Sequence, residues 1–216
     1  MIDCCVGVCG AIATQFDMAR AEGDLRQYKA GRLNPTTRLL RDAVVRAGSG
    51  ETLLDVGAGI GAATFELLAA GFSTATVVDA SPAFVAVARR EAEARGLTSR
   101  MIIVEGDFVD TADALPAADV VIMDRVVCCY PEYAPLLEQA LKHSNRLFAY
   151  AYPRDRWYVR LAMAWENLAR AMKRNRFRAF VHPANAMEDI IQKHGFQQAS
   201  RTGTLVWCVD VYRRGA

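Results

Sequence analysis

Long apolar runs are missing from this sequence of 216 residues. No run reaches the roughly 18 residues that cross a bilayer, so we expect no integral membrane segment. The first residues, Met1-Ile2-Asp3, lack the basic start and apolar centre of a signal peptide, and we therefore expect a cytoplasmic protein. A net charge of +2 is too small to argue for nucleic acid, and we expect no such partner.

The sequence also lacks a C-x-x-C pair, although it contains six cysteines. Together with the missing export signal, this spacing favours free thiols over a disulfide scaffold. We assign no metal ligand, but a soft-metal-binding or redox-sensing site remains an alternative because thiolates select soft metals. Such a site would bring together Cys4, Cys5, Cys9, Cys128 and Cys129.

The composition is typical of a folded protein, with 52% hydrophobic and 23% charged residues. The length suits one domain with a sizeable core. The most informative segment is residues 53–61, LLDVGAGIG, in which an apolar run ends in three glycines spaced by two. Glycines let backbone approach a ligand, and a helix N-terminus behind them supplies free N–H groups. The segment predicts the first strand and nucleotide-binding turn of a doubly wound α/β domain.

Asp55 separates two interpretations of this turn. Read from Gly57 with Ala62 in the last place, the run also fits the dinucleotide fingerprint. A carboxylate at the strand end would repel a pyrophosphate by on the order of 1–4 kcal/mol. A ligand that is positively charged there, such as S-adenosylmethionine, removes the conflict, so a nicotinamide-dependent oxidoreductase is the less favoured alternative.

The acidic residue followed by glycines at this spacing resembles the first motif of the class I S-adenosylmethionine-dependent methyltransferases. Three further segments follow in the family's order, at residues 75–82, 104–108 and 119–131. The resemblance implies that Asp79 binds ribose hydroxyls and that Asp107 and Phe108 contact adenine. The full set of expected cofactor-binding residues is Asp55, Gly57, Ala58, Gly59, Gly61, Asp79, Ala80, Ser81, Asp107, Phe108, Arg125, Val126 and Tyr28.

Strand and helix patterns alternate over residues 50–152, which predicts a parallel sheet with right-handed crossovers. The last two strand patterns, 196–201 and 205–213, are joined around Gly203 as a hairpin. The predicted fold class is therefore α/β, a Rossmann-like class I methyltransferase fold. We expect a mostly parallel seven-stranded sheet with an antiparallel C-terminal hairpin and helices on both faces.

We expect a single methyltransferase domain with four parts. These are an N-terminal helical arm at 1–48, a cofactor-binding core at 50–152, a helical insertion or lid at 153–183, and a C-terminal helix and hairpin at 184–216. In the arm, Phe16 and Tyr28 either contact the cofactor or only dock the arm on the core.

Two features of the insertion point to function. Its helix carries one apolar stripe, Trp157, Leu161, Trp165, Leu168 and Met172, which predicts a cover over the substrate site or, alternatively, packing into the core. Residues 154–178 contain eight basic and two acidic residues, a net charge of +6. This charge either attracts an anionic substrate or a membrane surface, or only aids solubility.

The segment after the fourth strand lacks the Asn/Asp-Pro-Pro-aromatic tetrad of enzymes that methylate amino groups in nucleic acids. We therefore expect a small-molecule acceptor, with no prediction of oligomeric state. A carboxylate or thiolate acceptor needs no base, whereas a hydroxyl or amine does. The expected function is O- or S-methylation of an anionic small molecule by S-adenosylmethionine.

The Tyr130-Pro131 step, the long helix after strand five and the segment 180–182 are similar to the magnesium-protoporphyrin IX methyltransferases. That family esterifies a propionate, which makes a carboxyl acceptor of this type an alternative. The family typically has a histidine before the Tyr-Pro step, where this chain has Cys129. A thiol cannot replace imidazole as a base unless its pKa is depressed, so we expect another small acceptor. The candidate catalytic residues are Tyr130, His182 and Cys129.

Overall fold

The computed structural model describes residues 4–48 and 50–215, with side chains from residue 10 onward. Seven strands lie in the described ranges: β1 (Thr52–Val56), β2 (Thr74–Asp79), β3 (Met101–Glu105), β4 (Ala118–Asp124), β5 (Ser144–Pro153), β6 (Phe196–Gly203) and β7 (Trp207–Arg214). They form one sheet in the order β3-β2-β1-β4-β5-β7-β6.

The first five strands pair in parallel, whereas β7 runs antiparallel between β5 and β6. The mostly parallel seven-stranded sheet and its antiparallel C-terminal hairpin are therefore confirmed. The second hairpin strand begins at Trp207 rather than at Leu205, so Leu205 and Val206 belong to the turn.

The α-helices of the described ranges are α1 (Cys4–Gln15), α2 (Met18–Lys29), α3 (Pro35–Ala47), α4 (Ala62–Ala69), α5 (Pro82–Ala94), α6 (Phe108–Thr111), α7 (Tyr133–Lys142), α8 (Trp157–Met172) and α9 (Ala184–Lys193). Their starts follow local chemistry: the Asn34 carboxamide accepts from the Thr36 N–H at 2.9 Å and Pro35 takes the first turn. Among the described helices, none is long and apolar enough to cross a membrane.

Core side chains alternate across the sheet because successive strand residues point to opposite faces. Leu53 and Val120 pack on the face that carries α3 and α4, whereas Leu54 and Val121 pack on the face that carries α7 and α9. Both faces of the sheet are thus covered by helices, and the polar ends of the strands are left to form a site.

Helix α8 differs from the expectation drawn from its pattern. Val159 is its buried residue, and the five members of the apolar stripe are each more than half exposed. The stripe therefore does not pack into the core, and that interpretation is wrong. A cover over the substrate site stays a prediction. An amphipathic pattern defines an apolar face but does not say which way that face points.

Candidate functional site

A cavity of about 680 Å³ opens at the carboxyl ends of β1, β2 and β4. Strands β1 and β4 are neighbours in the sheet, and the strand order reverses between them. Doubly wound sheets bind ligands at this switch point, outside the carboxyl ends of the strands. The volume is in the range of pockets for drug-sized ligands, about 300–1,000 Å³.

The glycine turn after β1 forms the floor of the cavity. Gly57 and Gly59 have φ of +64° and +59°, a conformation that favours glycine. A Cβ at Gly57 would lie 2.5 Å from a methyl carbon of Val126. Backbone therefore approaches the cavity where any side chain would collide.

Asp55 lies at the end of β1, fully buried beneath this turn. Its Oδ2 accepts a hydrogen bond from the Thr64 hydroxyl at 2.6 Å, while Oδ1 has no hydrogen-bond partner among the described residues. Burial raises the pKa of Asp55 to about 8. An unpartnered buried oxygen that lines the cavity fits a ligand with a cationic N–H donor.

Asp79 lies at the end of β2 and borders the same cavity. Its two oxygens accept from the backbone N–H groups of Gly59 and Ser81, each at 2.8 Å. Burial raises the pKa of Asp79, while these two N–H groups act in the opposite direction. The carboxylate is held in one orientation with lone pairs to spare, which fits a ligand that presents hydroxyl groups.

Ten of the thirteen predicted cofactor residues line the cavity, namely Asp55, Gly57, Ala58, Gly59, Asp79, Ala80, Phe108, Arg125, Val126 and Tyr28. The Tyr28 hydroxyl points elsewhere, since it donates to Glu66 at 3.0 Å. Burial raises the pKa of Tyr28 to about 12. Tyr28 therefore offers its ring to the cavity rather than a titrating hydroxyl.

The other three predicted residues lie behind the lining. Gly61 precedes the first residue of α4, and the Ser81 hydroxyl donates to the Phe16 carbonyl at 2.6 Å. Asp107 caps α6 by accepting from the Val109 N–H at 2.9 Å. These residues stabilise the turns that carry the cavity-lining residues.

Two of the three candidate catalytic residues, Cys129 and Tyr130, border the cavity. The adjacent Cys128 thiol, together with burial, raises the pKa of Cys129 well above the ordinary thiol value. The Tyr130 hydroxyl donates to Asp107 Oδ1 at 2.9 Å. The Cys129 thiol therefore does not have the environment of a base that works near neutral pH, and the Tyr130 hydroxyl is bound to a carboxylate.

His182 lies outside the cavity lining, beneath the turn that follows β4. Its Nε2 lies 3.1 Å from the Val127 carbonyl oxygen and 2.9 Å from that of Tyr130, so it must carry the proton and donate. The ring contacts Tyr133 at a centroid distance of 4.5 Å, and burial lowers the pKa of His182. This geometry is that of a residue that positions the turn.

Sequence reasoning missed several cavity residues, because they lie in segments without a recognisable motif. Among them are Arg20 and Arg32 from the arm and Arg170 from α8. A fourth guanidinium, that of the predicted Arg125, sits on a residue with φ of +63° directly after β4. Four arginines, two from the arm and one each from α8 and the turn after β4, therefore surround one cavity.

The cysteine alternative falls partly outside what the structure describes. The backbone of Cys4, Cys5 and Cys9 belongs to α1, but their side chains lie outside the described residues. Within the described part of the chain, no three His, Cys, Asp or Glu side chains are grouped so that they could hold a metal ion.

Comparison with known proteins adds to the evidence from the cavity. Residues 53–149 match the family model of a methyltransferase domain. No curated protein sequence matches the chain. Many solved structures resemble it, and three of them, each less than 20% identical, are given below; at such identity the likeness shows the fold alone.

The first is magnesium protoporphyrin IX methyltransferase from Synechocystis PCC 6803 with bound SAH, 19% identical over 83% of this chain and 82% of that one, with a TM-score of 0.68. The second is an O-methyltransferase family protein from Burkholderia thailandensis, 15% identical over 95% of this chain and 63% of that one, with a TM-score of 0.74. The third is the N-methyltransferase NodS from Bradyrhizobium japonicum WM9 with S-adenosyl-l-homocysteine, 17% identical over 85% of this chain and 89% of that one, with a TM-score of 0.63.

The matched domain spans the glycine turn and the acidic ends of β1 and β2, which are the features that fit a cationic, hydroxyl-bearing nucleoside. The nicotinamide-dependent alternative gains no support from any of these observations. The matched domain, the fold and the cavity together support a class I S-adenosylmethionine-dependent methyltransferase.

Proposed function

We propose that the acceptor of this methyltransferase is a small, largely apolar molecule and that the atom methylated is a carboxylate oxygen. The observation that carries the proposal is the set of four cavity arginines, Arg20, Arg32, Arg125 and Arg170. Guanidinium groups match the planar, bidentate geometry of carboxylates. Five acidic residues also border the cavity, and two of them are already paired with these arginines: Glu166 with Arg170 at 2.7 Å and Asp124 with Arg125 at 3.3 Å. The other three are Asp24, Asp55 and Asp79.

The chemistry of the remaining polar groups supports the same acceptor. A hydroxyl or amine acceptor requires a base within reach, and the pKa of Cys129 is raised while His182 lies outside the cavity. A carboxylate is already ionised at neutral pH and needs no such group. The chain then has only to orient the acceptor and keep water out.

The residues of this chain divide these tasks. S-adenosylmethionine, when bound, supplies an electrophilic methyl group. Asp55 would balance its positive charge, Asp79 would hold its ribose hydroxyls, and the backbone of Gly57 and Gly59 would admit it closely. Apolar side chains from three other segments would exclude water from the reacting atoms, namely Phe16, Met163, Phe177 and Trp207.

Methyl-labelled S-adenosylmethionine provides the test, with magnesium protoporphyrin IX and simple aromatic carboxylates as acceptors, and a catechol and a secondary amine as comparators. A carboxyl methyl ester is hydrolysed by mild base and releases volatile labelled methanol. We expect label transfer to a carboxylate with this lability. Transfer only to the catechol or the amine, with base-stable label, would contradict the proposal.

Variants of cavity arginines, compared with a variant of an arginine elsewhere, test where the acceptor binds. Arg20→Gln and Arg170→Gln should each raise the acceptor KM by about tenfold, the effect of losing one charge-assisted hydrogen bond of roughly 1.5 kcal/mol. Arg146→Gln is the control, because Arg146 is exposed near the start of β5, far from the carboxyl ends of the strands. An equal effect in all three variants would show that general charge, and not the cavity, binds the acceptor.

A further inference from the structure

The outer face of α8 is an exposed apolar stripe on a helix that borders the cavity with its other side. Trp157, Leu161, Trp165, Leu168 and Met172 follow one another at intervals of four, four, three and four residues. These intervals place them on one side of a helix about 24 Å long. The largest of them, Trp157 and Trp165, are 76% and 70% exposed.

The turn between β6 and β7 extends this face. Leu205, which is 83% exposed, and Val206 lie in that turn. The Tyr158 hydroxyl donates to the Leu205 carbonyl at 2.9 Å, and Arg154 Nε donates to the Thr204 carbonyl at 2.7 Å. Helix and turn are thus joined into one apolar surface, which we call the α8 face.

Polar contacts hold α8 to the protein while its apolar residues remain outside. Asn167 Nδ2 donates to the Ala179 carbonyl at 2.7 Å, and its Oδ1 accepts from the Ala179 N–H at 2.9 Å. Met163, Glu166 and Arg170 turn to the cavity. The orientation of the helix is therefore fixed, and the exposed stripe is not the result of a loosely attached segment.

Cations flank both ends of the α8 face. Arg156 is exposed before the helix, and Lys173, Arg174 and Arg176 are exposed at its end. Arg174 has φ of +56° at a position after the helix where glycine is usual. A basic residue thus occupies a left-handed backbone conformation that favours glycine.

The acidic residues of the same segment do not offset these cations. The two acids of residues 154–178 are each paired with an arginine: Asp155 accepts from Arg160 at 2.7 Å, and Glu166 pairs with Arg170. The outer surface of the segment therefore combines apolar bulk with net positive charge, the composition of a helix that lies in a membrane interface.

We propose that the α8 face docks the protein on the surface of an anionic phospholipid bilayer, with the stripe entering the headgroup boundary and the flanking cations contacting lipid phosphates. A second copy of this chain is the less suitable occupant. A two-fold interface would bring the same surface of each copy together, and the segment of net charge +6 would face its own like charge.

Sedimentation of the full chain with lipid vesicles tests the proposal without any need for turnover. One vesicle is phosphatidylcholine alone, and the other contains about a third phosphatidylglycerol, which provides the negative surface. We expect binding to the anionic vesicle that is roughly tenfold tighter than to the neutral one and that weakens as salt is raised.

Variants separate the two components of the face. Trp165→Gln combined with Leu168→Gln removes apolar bulk, and Lys173→Gln combined with Arg176→Gln removes charge, and each pair should weaken binding to anionic vesicles by roughly tenfold. The control is Ile102→Gln, since Ile102 is 60% exposed on β3 at the other edge of the sheet.

Three outcomes would overturn the proposal. The first is no binding to anionic vesicles, and the second is binding that the paired variants leave at the level of the Ile102→Gln control. The third is a concentration-dependent dimer in analytical ultracentrifugation that Trp165→Gln with Leu168→Gln abolishes, which would assign the face to a second copy. Because all substituted residues are exposed, unchanged unfolding temperatures should accompany each variant.

Discussion

At the scale of a single residue, the protonation of the Asp55 carboxyl depends both on its burial and on the charge of the bound ligand. Burial raises the pKa of its carboxyl to about 8, so the free protein holds a proton there at neutral pH. A cation bound against Oδ1 favours the ionised carboxylate and lowers the pKa. Ligand binding below pH 8 should therefore release a proton.

Calorimetric titration with S-adenosylmethionine at about pH 6.5, in two buffers of different ionisation enthalpy, measures this proton. We expect close to one proton released from the wild type and almost none from Asp55→Asn. The sign follows from the direction of the shift: the free protein is the protonated form, and the complex is the ionised one. Equal proton release from both proteins would show that Asp55 does not contact the cationic part of the ligand.

Arg125 carries backbone strain at the edge of the cavity. Its φ of +63° costs a non-glycine residue on the order of 1–2 kcal/mol. We expect Arg125→Gly to be more stable than Arg125→Ala by about 1 kcal/mol, because glycine relieves the strain and alanine does not. Urea unfolding of the two variants measures the difference, and both lack the guanidinium. An alanine variant as stable as the glycine variant would show that the position is unstrained.

Sequence alone could predict the residues that follow strand ends in a fixed order, because spacing along the chain decides where they lie. The acids Asp55 and Asp79, at the ends of β1 and β2, were accessible in this way. His182 was not, since its partners are carbonyl oxygens 52 and 55 residues away that only the folded turn brings near. The pKa of Cys129 likewise depends on burial and on its contact with Cys128.

At the scale of elements, the C-terminal hairpin is tied to the sheet by one buried carboxylate. Asp210 on β7 accepts from the Tyr152 hydroxyl on β5 at 2.8 Å. It also accepts from Arg201 on β6, Nε to Oδ1 at 2.8 Å and Nη2 to Oδ2 at 2.9 Å. Three neighbouring strands thus share a single acceptor.

Asp210→Ala should lower the free energy of unfolding by about 2–4 kcal/mol. The substitution leaves the buried Tyr152 hydroxyl without its acceptor and the Arg201 guanidinium without its carboxylate. The lower part of the range applies because Arg201 is half exposed. Asp113→Ala is the control, as Asp113 is exposed, and it should change stability by less than about 0.5 kcal/mol. Similar losses in both variants, measured by urea unfolding, would contradict the role of the carboxylate.

The order and type of the elements could be read from the sequence because each carries its own periodicity and its own start and stop residues. Strand β5, for example, is a run of apolar and aromatic residues, and α3 begins at an Asn-Pro step. The direction of the α8 stripe could not be read. A period of 3.6 residues defines a face, but only the position of Val159 in the fold shows that the opposite side is the buried one.

At the scale of the whole molecule, three parts of the chain meet over the cavity. The Phe16 ring from the arm contacts Phe84 of α5 and Phe177 after α8, at centroid distances of 5.8 and 5.5 Å. Asn175 Nδ2 donates to Gln15 Oε1 at 2.8 Å. Arm, core and insertion therefore border the cavity together, although no local pattern in the sequence records these contacts.

Binding of S-adenosylmethionine at the carboxyl ends of β1 and β2 is the property on which the proposed methyl transfer depends. The measurement that tests it most directly is calorimetric titration of the wild type beside Asp79→Asn, with Asp189→Asn on the exposed side of α9 as the control. Loss of a carboxylate that accepts from ribose hydroxyls should weaken binding by about 10- to 100-fold.

We expect saturable binding to the wild type and to Asp189→Asn, and this weakening in Asp79→Asn alone. No binding to the folded wild type, or equal affinity in all three proteins, would contradict this expectation.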